Sequence, residues 1–273
     1  MIVICVILCN NRNATEVTRL KYYEKLVQLG CFSREKLIEI TGSEAAAKSL
    51  VLNYLNKGYI ERVRRDLYVA ISLETHQPVF SRYQIASHIA DDAYVSHHSA
   101  FEYYGYANQV FYEIYVATDS RFRDFEYDGV SYHRVAPTDG IKLPAMRSGV
   151  RVTELEQTVI DSIADLQKIG GLEEILRCIQ LIPSLNADKL LAVLSAYGNG
   201  LLYQKTGYIL ESFNSSLNLP NSFFSECEAH CSNSKKYLSP NHKDYVFHAK
   251  WKLFAPKDLS TLINKGVTDF DAI

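Results

Sequence analysis

The spacing of apolar residues changes period several times along the chain, and each change marks an element. Leu20, Tyr23, Leu26 and Val27 recur at helical spacing and predict a helix near Leu20 to Leu29 that ends at Gly30. Ser33 is placed to cap a second, short helix carrying Leu37, Ile38 and Ile40; Thr41-Gly42 then turns the chain, and Ser43 caps a third helix. In that third helix Ala47, Leu50, Val51, Tyr54 and Leu55 share one face, which leaves Glu44, Ala45, Lys48, Ser49, Leu52 and Asn53 facing elsewhere. Leu52 is a large apolar residue on the outer side and fits this scheme poorly. After Gly58, the stretches Tyr59 to Val63 and Leu67 to Ile71 predict a two-stranded ribbon turning at Arg64-Arg65-Asp66. Ile60 and Val63 break the period of two there, which calls for a bulge or an early turn.

Residues 76 to 150 read as a mixed α/β unit. Helices are predicted near Tyr83 to Ala90 and Ser99 to Tyr104, with a short strand at Ala93 to Val95 between them and another at Phe111 to Thr118. Asp128-Gly129, set between Phe125, Tyr127 and Val130, Tyr132, signals a hairpin, because a type I′ turn needs positive φ at both central residues. Val150 to Val152 then leads to a helix opened by a Thr153/Glu156 capping box and carried by Leu155, Val159, Ile160 and Ile163. Further helices are predicted at Leu172 to Leu181, Ala187 to Tyr197 and Tyr203 to Phe213, and one strand at Tyr245 to Phe254. The fold class is α+β: a tail at 1–18, a helix-turn-helix with its ribbon at 19–75, and a mixed α/β and helical body at 76–273.

Composition narrows the function classes. The chain has 273 residues, 47% hydrophobic and 22% charged, which fits a folded globular protein. Residues 1–75 hold 11 Lys and Arg against 8 Asp and Glu, a net of +3, and the remainder holds 18 against 23, a net of −5. A basic head on an acidic body suits a head that touches a polyanion. The six cysteines are scattered and read as reduced thiols of a cytoplasmic protein. The apolar opening Met1 to Cys9 has no positive n-region and is shorter than a membrane span, so neither secretion nor a membrane partner is expected.

Two helices around a glycine turn, followed by a basic ribbon, form the layout of a winged helix-turn-helix, and double-stranded DNA is the expected partner. The candidate DNA-binding residues are Ser43, Lys48, Ser49, Asn53 and Lys57 on or after the third helix, and Arg62, Arg64 and Arg65 on the ribbon. The arginines sit where the wing would meet phosphate, whereas Ser43, Lys48, Ser49 and Asn53 are placed to reach base edges. Other constellations are weaker. Adjacent His97 and His98 diverge by ~100° on a helix, so Ser96-His97-His98-Ser99 reads as a fold-defining turn in which Ser96 or Ser99 caps the next helix. Cys227, His230, Cys231 and His242 lack the paired knuckles of a structural zinc site. Phosphate-cradling, dinucleotide, zincin and nucleophile-elbow motifs are absent from the sequence. No catalytic residue, cofactor or metal is therefore expected. The competing enzyme reading is a metal-dependent nuclease or hydrolase centred on Asp91, Asp92, His97 and His98.

Four stretches carry a family resemblance: "LNKGYIERVRRDLYV" after the helix-turn-helix, "DAYVSHHSAFEYYGY" (92–106), "RVTELEQTVIDSI" (151–163) and "LYQKTGYILESF" (202–213). In order and spacing, from Lys21 to Trp251, they resemble the AbiEi-type antitoxins of bacterial type IV toxin–antitoxin systems. The resemblance implies a winged-helix head that binds inverted repeats in its own promoter, as a homodimer on DNA, and represses the operon. It also implies an antitoxin-type body that counteracts a nucleotidyltransferase-like toxin encoded beside it. Carried onto this chain, it points to Lys48, Ser49, Arg62, Arg64 and Arg65, with Asp66 standing where family members often have glycine. A winged-helix transcription factor with a sensory body and no toxin partner is the alternative within the same class.

Overall fold

The computed structural model describes residues 22–240 and 243–263, so the tail predicted at 1–18, with Cys5 and Cys9, lies outside the described residues, as does His242. The chain opens on three helices, α1 (22–29), α2 (Arg34–Thr41) and α3 (Glu44–Asn56). Between the first two runs a strand the sequence did not announce, β1 (Cys31–Ser33). It is only three residues long, squeezed between Gly30 and the Ser33 cap, too short to show an alternation. It pairs antiparallel with β3 (Leu67–Ala70), which also pairs with β2 (Ile60–Arg64), so the expected two-stranded ribbon is a three-stranded sheet in the order β1-β3-β2.

The residues of β3 alternate between two cores. Tyr68 and Ala70 face the helices with Phe32 and Ile60, against Leu26, Leu37, Ala47, Val51 and Tyr54. Leu67, Val69 and Ile71 face the other way with Cys31 and Val63, against Ile85, Ile89, Val95, Ile114, Val116 and Tyr132 of the body. A strand covered on both faces reads as a continuous apolar run, and Leu67 to Ile71 is one. Residues 22–75 are therefore joined to the body through a shared core rather than strung beside it.

The body continues with α4 (Arg82–Ser87), opened by a Ser81/Gln84 capping box, then β4 (Tyr94–Val95), α5 (His97–Tyr104), β5 (Glu113–Ala117), β6 (Phe125–Tyr127) and β7 (Val130–Val135). The sheet order is β4-β5-β7-β6, with β5 and β7 parallel and the other pairs antiparallel. Asp128 and Gly129 both take positive φ, 51° and 69°, as the type I′ turn requires. The helical part holds α6 (Leu155–Ala164), a 3₁₀ turn (Leu166–Ile169), α7 (Leu172–Gln180), α8 (Ala187–Tyr197), α9 (Gly200–Ser212), α10 (Asn214–Leu217) and α11 (Asn221–Ala229). A last sheet, β8 (Lys236–Tyr237), β9 (Val246–His248) and β10 (Leu253–Ala255), has the order β8-β10-β9. Ile160, Ile175, Leu194, Ile209 and Trp251 lie in the core of this part, with Phe101 from α5. The fold class is α+β.

Three local expectations change. The Thr153/Glu156 capping box does not form. Glu154 is the N-cap residue of α6, Thr153 bonds the Thr158 hydroxyl at 2.7 Å, and Glu156 accepts the Asn186 amide at 2.9 Å. The threonine is thus spent on a buried contact instead of a free amide. The single strand at Tyr245 to Phe254 is two strands, folded back so that Leu253 pairs with His248. Ser96 holds the N-cap position of α5, but its Oγ pairs with His97 Nδ1 at 2.9 Å rather than with an amide. No helix among the described residues is long and apolar enough to cross a membrane.

Candidate nucleic-acid interface

The turn between α2 and α3 is fixed by side chains the sequence pointed to. Ser33 Oγ accepts from the Lys36 amide and Ser43 Oγ from the Ala46 amide, each at 3.2 Å. Gly42, at φ 82°, donates its amide to Ile38 O at 2.8 Å, and Thr41 Oγ1 donates to Leu37 O at 2.8 Å. The left-handed conformation at Gly42 is what lets α2 stop and α3 leave in a new direction. α3 has 13 residues and so presents about 20 Å of axis.

Ser43, Lys48, Ser49 and Asn53 are all exposed on α3, and Lys57 at its C-terminal cap is exposed with Nζ 5.7 Å from the Tyr59 ring centre. Leu52, 56% exposed, lies among them. Glu44 would oppose Lys48 if it stood alone. Instead it forms an ion pair with Arg34 of α2, which offsets its charge locally.

The ribbon arginines diverge. Arg62 is exposed, its guanidinium 5.7 Å above the Tyr68 ring. Arg65 projects from the two-residue turn with a side chain 95% exposed, 3.4 Å from Asp66. Asp66 supplies the positive φ, 60°, that a glycine would otherwise supply, and its carbonyl accepts the Arg34 amide at 3.1 Å.

Arg64, half-buried, is turned away from the exposed positions of Arg62 and Arg65. The register of β2 shifts between Arg62 and Arg64, so Arg62 stands opposite Tyr68 but Arg64 stands opposite Leu67. This is the bulge that Ile60 and Val63 required, and a bulge re-aims the next side chain. Arg64 is turned to the body, where Nη2 donates to Ile89 O at 2.9 Å and the guanidinium lies 5.4 Å from the Phe122 ring centre. Burial pulls its pKa below the usual arginine value, against the opposing charge of Asp66. Tyr127 from β6 completes the docking by donating to Glu61 at 2.6 Å.

The body's candidate groups are placed as follows. Both oxygens of Asp92 are occupied, by Thr118 at 2.6 Å and by the Asp119 amide at 2.7 Å. His98 is fully buried and faces Glu102 and Glu174. Cys227 is buried, and Cys231 donates to its carbonyl. His97 lines a separate cavity of about 320 Å³ with Tyr94, Ser96, Asp161, Asp165, Lys168 and Tyr197. Burial pushes Asp161 up to about 6, against hydrogen bonds from Tyr197 at 2.7 Å and Gln157 at 3.3 Å. Burial, aided by Lys168, pulls His97 down to about 4, and its backbone is held at φ 53°. Strained backbone and costly buried acids gather at sites that bind something. Ser96 and His97 stood out in the sequence, but the cavity did not, since its residues come from β4, α5, β5, β7, α6, the 3₁₀ turn and α8.

No protein-family model matches the chain, and no curated protein is similar to it.

Proposed function

We propose that this protein is a cytoplasmic, non-enzymatic DNA-binding autorepressor built on a winged helix-turn-helix. The observation that carries the reading is the exposed polar face of α3, bearing Ser43, Lys48, Ser49 and Asn53, beside a hairpin tip whose Arg65 is free to reach outward. A helix of this length fits a major groove, and a cation at the hairpin tip is placed to meet the adjacent phosphates. The toxin-facing half of the proposal, a body that counteracts a nucleotidyltransferase-like toxin encoded alongside, rests on the four stretches that resemble AbiEi-type antitoxins. Inverted repeats in its own promoter and a homodimer on DNA belong to the same half.

Salt dependence tests the assignment of the arginines. Each phosphate contact contributes about 0.9 to the slope of log K against log salt. Arg65→Ala is expected to reduce the slope on duplex DNA by about 1, and Arg64→Ala to leave it unchanged. No reduction in Arg65→Ala would remove the hairpin tip from the interface, and an equal reduction in Arg64→Ala would put Arg64 on phosphate instead of against the body. Growth rescue on co-expression with the neighbouring gene product tests the antitoxin half.

A second reading is favoured by the cavity that Asp161 and His97 line: a winged-helix regulator whose body senses a small polar ligand. It separates from the first on the partner, since it requires no rescue of a toxin.

A further inference from the structure

On α5, His98 and Glu102 are one turn apart and share a face, and on α7 so do Glu174 and Cys178. The two faces meet in the interior. His98 Nε2 lies 3.3 Å from Glu174 Oε1, Cys178 Sγ lies 3.6 Å from the same oxygen, and the three ligand atoms all fall within 4.8 Å of one another. All three residues are buried, and among the described residues no other group of three His, Cys, Asp or Glu side chains is so gathered. Glu174 Oε2 is buried with no hydrogen-bond partner at all. An orphaned carboxylate oxygen in a dry interior is costly, and it calls for a ligand.

We infer that His98, Glu174 and Cys178 form a zinc site with three protein ligands. With zinc about 2.0 to 2.2 Å from nitrogen or oxygen and about 2.3 Å from sulfur, tetrahedral edges are about 3.3 Å for N···O and about 3.6 Å for S···O. Two edges of the cluster already have these lengths. The two oxygens of one carboxylate stand too close together to span a tetrahedral edge, so Glu174 counts as one corner and the site has three protein ligands. The nitrogen, oxygen and sulfur donor set suits zinc over magnesium or calcium, which take oxygen ligands.

The surroundings are those of a metal ligand shell. The other ring nitrogen of His98, Nδ1, lies 3.3 Å from Glu102 Oε1 without a hydrogen bond between them, which places a carboxylate beside the imidazole. Glu102 is itself held by Arg82 at 2.6 Å and by the Phe111 amide at 2.5 Å. The Phe111 ring stacks on His98 with centroids 3.8 Å apart and seals the site from water. Charge balances too: Zn²⁺, one carboxylate and one thiolate sum to zero, and Arg82 offsets Glu102. Binding releases the Cys178 thiol proton to solvent as the sulfur–zinc bond forms.

The test loads the full chain with zinc, dialyses it against buffer, and measures metal content by mass spectrometry; cobalt is then used as a spectroscopic probe in its place. One zinc per chain is expected, together with a thiolate-to-cobalt charge-transfer band that is lost in Cys178→Ala and kept in Cys227→Ala. Folded wild-type protein that retains no zinc and shows no band overturns the inference, as does a band that survives in Cys178→Ala. Should Cys178→Ala fail to fold, Glu174→Gln takes its place. Loss of stoichiometric zinc in that variant supports the site, and full retention contradicts it.

Discussion

Gly207→Ala should lower the stability of the protein by about 3 kcal/mol or more, although alanine is the better helix former by about 1 kcal/mol. Gly207 lies inside α9 and is buried there. A Cβ at this position would stand 2.2, 2.3 and 2.7 Å from three ring atoms of Trp251, well inside van der Waals contact. The ring cannot retreat cheaply. It is 2% exposed, its Nε1 donates to Glu211 at 2.8 Å, and its backbone carbonyl accepts from Gln204 at 3.0 Å. Trp251 is the single tryptophan of the chain, so its fluorescence reports the transition directly in a denaturant titration. In a melt the same loss corresponds to a fall in Tm of roughly 6 to 12 °C for a protein of this size. Stability equal to or above wild type would show that α9 and Trp251 do not pack this way.

Asp161→Asn is expected to stabilise the protein, and only above acidic pH. The carboxyl group is pushed from its ordinary value near 3.8 up to about 6 by burial. Between those values the folded chain holds a proton that the unfolded chain has released, so wild-type stability from this group falls as pH rises through the window. The shift amounts to about 3 kcal/mol at neutral pH. The difference between variant and wild type should therefore be near zero below pH 4 and grow to about 3 kcal/mol above pH 6. His97 acts with the opposite sign: its pKa falls from 6.5 to about 4, so its contribution is present at neutral pH and lost on acidification. The two largely cancel in wild type, and the variant leaves the histidine's dependence exposed. A stability difference that does not change with pH would mean that the Asp161 carboxyl group titrates alike in the folded and unfolded chain, with no upward shift on burial. A protein that keeps so costly a carboxylate in a cavity fits the sensory reading of the body, because binding sites commonly hold groups that stability alone would remove.

Local signals served well where one element decides its own ends. Ser33, Gly42, Ser43, Asp128-Gly129 and the Ala187 to Tyr197 helix stand where spacing and caps placed them. They failed where tertiary partners decide. Arg64 looks like its neighbours in a basic string, but a one-residue bulge sends it inward, and only the pairing partner across the sheet reveals that. The Thr153/Glu156 box had the right letters, yet Thr158 and Asn186 held better-placed partners. β1 was hidden by its length. The His98, Glu174 and Cys178 cluster had a partial trace, since His98/Glu102 and Glu174/Cys178 are both spaced one helical turn apart. Nothing in the chain says that α5 and α7 should face each other, because 76 residues separate His98 from Glu174. The Asp161 cavity is assembled from seven elements, and only His97 among its titratable residues had drawn notice in the sequence.

On the proposed function, α3 and the hairpin tip recognise a particular duplex. Competition binding of the full chain to a duplex from its own promoter, against a scrambled duplex of equal length at physiological salt, addresses it most directly. An affinity for the promoter sequence at least roughly a thousandfold higher is expected. Equal affinity for the two duplexes, or no binding to either, would contradict it.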